Sequence, residues 1–82
     1  MHNLDVIMLD IRKELDRAME TYEHMHSGHE AYAVILEELD EYKEEVWKKP
    51  NKRNQQQMYN ELIQTAAMCV RAIHDTVETK TR

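Results

Sequence analysis

Glu37, Glu38 and Glu41 fall together in the run Glu37-Glu38-Leu39-Asp40-Glu41, and Glu61 and Gln64 follow later in the chain. Residues three apart on a helix share a face. Glu38 with Glu41, and Glu61 with Gln64, therefore each present two oxygen-bearing side chains side by side. Such oxygens suit a hard cation: Mg²⁺ takes oxygen ligands near octahedral geometry and keeps waters or phosphates as the remainder. Carboxylates at this spacing on two facing helices are one way in which helix bundles build a metal site. Without a cation the same groups repel one another. The competing reading makes Glu37, Glu38, Glu41, Glu44 and Glu45 the solvated side of a surface helix. Against it, a wheel of about 100° per residue puts Ala31 and Val34 on the side of Glu38 and Glu41. It likewise puts Met68 and Ala72 near the face of Glu61 and Gln64. Apolar residues there are expected if those faces are partly covered. Spacing alone leaves both readings open.

The elements that must carry these residues are helical. One Gly, one Pro and no Phe, with much Glu, Lys, Gln, Met, Leu and Ala, point to an all-α chain. Apolar residues at spacings of three and four (Ile7, Ile11, Leu15, Ala18, Tyr22, Met25) predict a first helix over about 3–26. Gly28, in a left-handed conformation, is expected to end it, while Ser27 and Glu30 form a capping box for the next. The second helix is predicted over 29–48, stopped by Pro50, with Ile35, Leu39, Tyr42 and Val46 as its core stripe. The third is predicted over 55–78, with Tyr59, Leu62, Ile63, Ala66, Val70, Ile73 and Val77 facing inward. Short connections make antiparallel neighbours. The link between helices two and three is centred near residue 51. Glu41 and Glu61 lie ten residues either side of it, and Glu38 and Gln64 thirteen. The two pairs thus fall at one level of a helix-two/helix-three hairpin.

The 82 residues form one domain, 1–82, with a thin core that calls for a partner copy. A net charge of −5, with both signs spread along the chain, argues against a nucleic-acid surface. It leaves room for a phosphorylated ligand held through a metal. The single cysteine, Cys69, has no intrachain disulfide partner and reads as a packing residue of a reducing compartment. No stretch has the length of a membrane span or a signal-peptide core. The expected setting is cytoplasmic.

Glu37-Glu38-Leu39-Asp40-Glu41 has the form EExxE, and Glu61-Leu62-Ile63-Gln64 follows after 19 residues. The chain resembles the MazG-like, all-α nucleoside triphosphate pyrophosphohydrolases, whose signature is EExxE, a variable spacer, then ExxD. The resemblance spans about residues 28–78 and includes the small-residue run Ala66-Ala67-Met68. It implies an oligomeric four-helix-bundle arrangement and a Mg²⁺ cofactor, with Mn²⁺ as an alternative. It also implies cleavage of an NTP or dNTP between the α and β phosphates to monophosphate and pyrophosphate. Carried over by position, Glu38, Glu41 and Glu61 match metal ligands, and Glu37 matches the glutamate that positions or deprotonates water. Position 64 departs from the pattern: Gln64 offers an oxygen but no charge where the family has Asp. Glu45 or Asp75 is placed to compensate.

Weaker candidates surround this set. Lys48, Lys49, Lys52 and Arg53 lie in the connection, where a charged loop is ordinarily just solvated. Arg71 and Asp75 follow the side of helix three that bears Gln64 and Glu61. Trp47 and Tyr32 have rings able to stack on a base, although a lone Trp at a helix end more often packs. His24 and His26 cannot share a helical face, so a zinc site is not expected; His29 is placed to reach the site's edge. Two functions follow: a Mg²⁺-dependent pyrophosphohydrolase acting as a homodimer or larger homo-oligomer, or a relative that binds nucleotide or a partner helix without hydrolysis. Base, sugar and pathway are open.

Overall fold

A computed structural model describes residues 3–77. Three helices follow one another: α1 (Leu4–Thr21), α2 (Gly28–Val46) and α3 (Gln55–Ala72). A 3₁₀ turn, Pro50–Lys52, links α2 to α3, and α3 widens into one π-helical turn, Ile73–Val77. There is no strand among the described residues. The expected end of helix three at Glu78 lies outside them. No described helix is long and apolar enough to cross a membrane.

Each helix starts on a side-chain cap, which satisfies a backbone N–H that the helix cannot. Asn3 accepts from the Val6 N–H (2.9 Å), Ser27 from Glu30 (3.1 Å) and Asn54 from Gln57 (3.0 Å). The capping box at α2 is displaced by one residue: the Glu30 carboxylate takes the N–H of His26 (2.7 Å). Gly28 departs from expectation, since its φ is not positive and it is the first residue of α2. The stop signal assigned to it is supplied elsewhere.

That stop is the main correction to the predicted helix one, which ends at Thr21 instead of continuing to His26. Tyr22 is already extended (φ −119°, ψ 152°). No local breaker lies there; the cause comes from α3. The Arg71 guanidinium donates to the Glu23 carbonyl, and the Asp75 carboxylate accepts the Met25 N–H at 2.8 Å. These two bonds satisfy backbone groups that a helix would have used, and they hold 22–26 out of the helix. Met25 is then buried from a non-helical position, while Tyr22, expected in the core, is exposed.

The core is small. Leu15, Ala18, Met25, Ala31, Ala67 and Met68 form it, with Ile11, Val34, Ile35 and Ala72 packed against them. The predicted inward stripes are turned out in part: Leu15, Ala18, Met25 and Ile63 are buried, but Leu39, Leu62, Val70, Ile73 and Val77 are exposed, as is Cys69. The faces read as partly covered, those of Ala31 and Met68, are the ones that enter the core. α3 is the central helix, with α1 and α2 each packed on it.

Candidate functional site

α2 and α3 pack with residue numbers rising on one helix as they fall on the other. Glu45 accepts the Asn54 N–H (2.6 Å), Glu41 shares a hydrogen bond with Glu61, and Glu38 meets Gln64. The register near residue 51 therefore brings Glu38, Glu41, Glu61 and Gln64 together. One carboxylate oxygen from each of Glu38, Glu41 and Glu61 lies within 4.8 Å of the other two. Two oxygens on opposite sides of a Mg²⁺ ion, at about 2.1 Å each, are roughly 4.2 Å apart. Adjacent ligands are roughly 3.0 Å apart, and three octahedral ligands include at least two adjacent pairs, so one cation would draw the three carboxylates inward. The donors are all hard oxygens, with no imidazole or thiolate in the trio, as Mg²⁺ or Mn²⁺ prefers.

The electrostatics are those of carboxylates that crowd one another. Burial first, then the charges of Glu41, Glu61, Glu37 and Glu14, push the Glu38 carboxyl up to about 7. The Glu41 carboxyl is raised too, chiefly by its hydrogen bond with Glu61, which needs a proton between the two. Glu61 is buried and also accepts from Gln57 Nε2 at 2.5 Å. The Gln64 amide is assigned with its nitrogen toward the carboxylates, 2.9 Å from Glu38 Oε1 and 3.2 Å from Glu61 Oε1, because the reverse would set its oxygen against two acceptors. In this state Gln64 donates; to ligate a cation its amide must turn over.

Glu38 and Glu41 of the trio, but not Glu61, border a cleft of about 750 Å³ that runs along α2 between α1 and the 22–26 segment. Glu37, Glu38, Glu41, Gln64 and Arg71 line it. A second hollow, on the other side of Glu41 and Glu61, also holds Glu45 and Lys48.

The remaining predicted residues are placed as follows. Arg71 is 5% exposed and bound to the Glu23 carbonyl, with Asp75 3.7 Å from its Nε. Asp75, whose side chain is 3% exposed, is occupied by Met25 and His74 rather than turned to the trio. Glu45 is buried, and Lys48 Nζ (3.0 Å) and the Asn54 N–H take its two oxygens. Arg53 donates to the Val46 carbonyl at 3.0 Å and so caps α2. Trp47, Tyr32, His29 and Lys49 are exposed and do not line the cleft. Lys43 lies over the Trp47 ring at 5.5 Å.

Sequence reasoning missed four groups that share the site: Glu14 and Arg17 on α1, Gln57 on α3, and the 22–26 segment. Glu14 and Arg17 flank the Leu15–Ala18 stripe, so their position beside the core was visible; that α1 would face the carboxylates was not. Comparison with protein-family models, with curated proteins and with solved structures found no match.

Proposed function

We propose that the chain is a Mg²⁺-dependent, MazG-like nucleoside triphosphate pyrophosphohydrolase working in the cytoplasm, its site built on a helix-two/helix-three hairpin. The observation that carries this reading is the convergence of Glu38, Glu41 and Glu61, the first two of them on the wall of a cleft large enough for a nucleotide. A bound divalent cation supplies charge neutralisation for the phosphates and a more acidic water. Glu38, Glu41 and Glu61 hold it, and Gln64 adds its oxygen once the amide has turned. Glu37, on the same wall, accepts a proton from the attacking water. Pyrophosphate release from a panel of NTPs and dNTPs with Mg²⁺ or Mn²⁺ tests the reading. No release from any of them at high protein concentration sinks hydrolysis.

One observation favours a second reading, binding without turnover: the Gln64 amide presents nitrogen, not a charged oxygen, to the carboxylates. The variant Gln64→Asp separates the two. Raised activity marks position 64 as a weakened ligand, whereas calorimetric nucleotide binding without turnover in both forms marks a sequestering module.

The exposed Leu39, Leu62, Val70 and Ile73 support association of at least two copies through α2 and α3. Burying such side chains contributes about 25 cal/mol per Å² removed from water. Light scattering is expected to give a dimer or larger species. A stable monomer at micromolar concentration contradicts this.

A further inference from the structure

We propose that the non-helical segment 22–26 forms the nucleoside end of the cleft, with the rings of Tyr22 and His24 as the surface on which the base stacks; this rests on the metal–phosphate reading of the carboxylate trio. The cleft is directional. Along α2 it runs from Glu41, at the trio, to Glu30, at the 22–26 segment. Eleven residues at 1.5 Å per residue make that about 16 Å, comparable with an extended nucleoside triphosphate. Phosphates need a cation, and the trio is where the described residues can hold one. At the far end Glu23 and Glu30 line the wall beside His26 and Arg71, and no group of carboxylates there, among the described residues, is placed to hold a cation. The nucleoside therefore points toward 22–26.

That end has the surface a base requires. Tyr22 is 58% exposed and borders the cleft, and the Arg71 guanidinium sits over its ring, 5.8 Å from the centroid. The contact fixes the ring by a cation–π attraction. The His24 and His26 rings lie 4.5 Å apart, tilted by 51°, in the same wall. Rings on an irregular segment are ordinarily mobile, but this one is fastened. Met25 is buried between them, and its N–H and the Glu23 carbonyl are bound by Asp75 and Arg71. The base end is thus pre-organised from α3, independently of the carboxylates.

Calorimetry in Mg²⁺ tests this with two kinds of probe: the hydrolysis-resistant α,β-methylene triphosphates of adenosine, guanosine, cytidine and uridine, and inorganic tripolyphosphate, which has no base. Base–aromatic stacking of the usual strength predicts that Tyr22→Leu and His24→Leu each weaken the tightest-binding nucleotide roughly five- to a hundredfold. Tripolyphosphate binding should be unchanged in both, and Tyr22→Phe should keep wild-type nucleotide affinity. The unchanged tripolyphosphate value also shows that the variants are folded. The proposal is overturned if both leucine variants bind nucleotide like wild type, or if wild type prefers no nucleotide to tripolyphosphate. If wild type binds neither probe, the metal–phosphate reading itself fails, and this one with it.

Discussion

Mg²⁺ at a hundred times its dissociation constant is expected to stabilise the wild-type chain by about 2.7 kcal/mol and to leave Glu38→Gln unmoved. For a domain of this size each kcal/mol shifts the midpoint by roughly 4–8 °C. The thermal midpoint of the wild type should therefore rise by about 10–20 °C. The same variant is expected to be the more stable of the two without metal at about pH 8, because it removes a strained charge. The sign follows from the Glu38 carboxyl, held at about 7 against an ordinary 4.5. A folded-state value raised in this way contributes stability in full below the ordinary value. That contribution is lost as pH rises through about 7. Metal-free wild type therefore weakens across that window, while Glu38→Gln does not share the loss. A cation competes with the proton, so its effect should fade as pH falls below about 6. Thermal melts with and without Mg²⁺ at several pH values check all of this. A wild-type midpoint indifferent to Mg²⁺ and Mn²⁺ at about pH 8 would remove the metal site.

Replacing Arg71 by Met is expected to cost up to about 3–5 kcal/mol, because it removes the guanidinium that offsets a buried carboxylate and that holds the Glu23 carbonyl. Domains of this length have only roughly 4–12 kcal/mol in total, so the variant sits close to unfolding. Arg71 supports three things together: the Glu23 carbonyl, the Asp75 charge and the Tyr22 ring. The double variant Arg71→Met/Asp75→Asn should recover part of the loss, since the carboxylate charge that Arg71 offsets goes with it. Burial alone would raise the Asp75 carboxyl. Hydrogen bonds from His74 and the Met25 N–H, with the charge of Arg71, outweigh burial and hold it below the ordinary carboxylate range. A lowered value contributes stability above the unfolded-state pKa that is lost as pH falls through the folded one. Asp75 thus makes the fold acid-labile, opposite in sense to Glu38. Urea titrations of the three variants against wild type measure the coupling; Arg71→Met as stable as wild type would mean that the clamp is not needed.

What could be read in advance depended on whether its cause was local. The pairing of Glu38, Glu41, Glu61 and Gln64 follows from helical period and one short connection, both written in neighbouring residues. Ser27 at the start of α2 and Pro50 after its end are equally local. The end of α1 is not: nothing between Thr21 and His26 breaks a helix, and the bonds that do so come from Arg71 and Asp75, 48 and 50 residues along the chain. Periodicity also marked Leu39, Leu62 and Val70 as apolar without revealing which face would meet α1. Ala18, Ala31 and Ala67 fill the core instead, and a wheel weighted by hydrophobicity favours the larger side chains.

The ties from the N-terminal part of the chain to α3 have a consequence for chain entropy. The Tyr59–Asp10, Met25–Asp75 and Arg71–Glu23 hydrogen bonds span 49, 50 and 48 residues, whereas Glu45 and Asn54 are nine apart. Closing long loops costs more configurational freedom than closing short ones, so the cost of assembly falls on docking α1. The carboxylate trio belongs wholly to α2 and α3, and one wall of the cleft belongs to α1. Opening that wall is therefore the undocking of a single helix, with the three glutamates left in register.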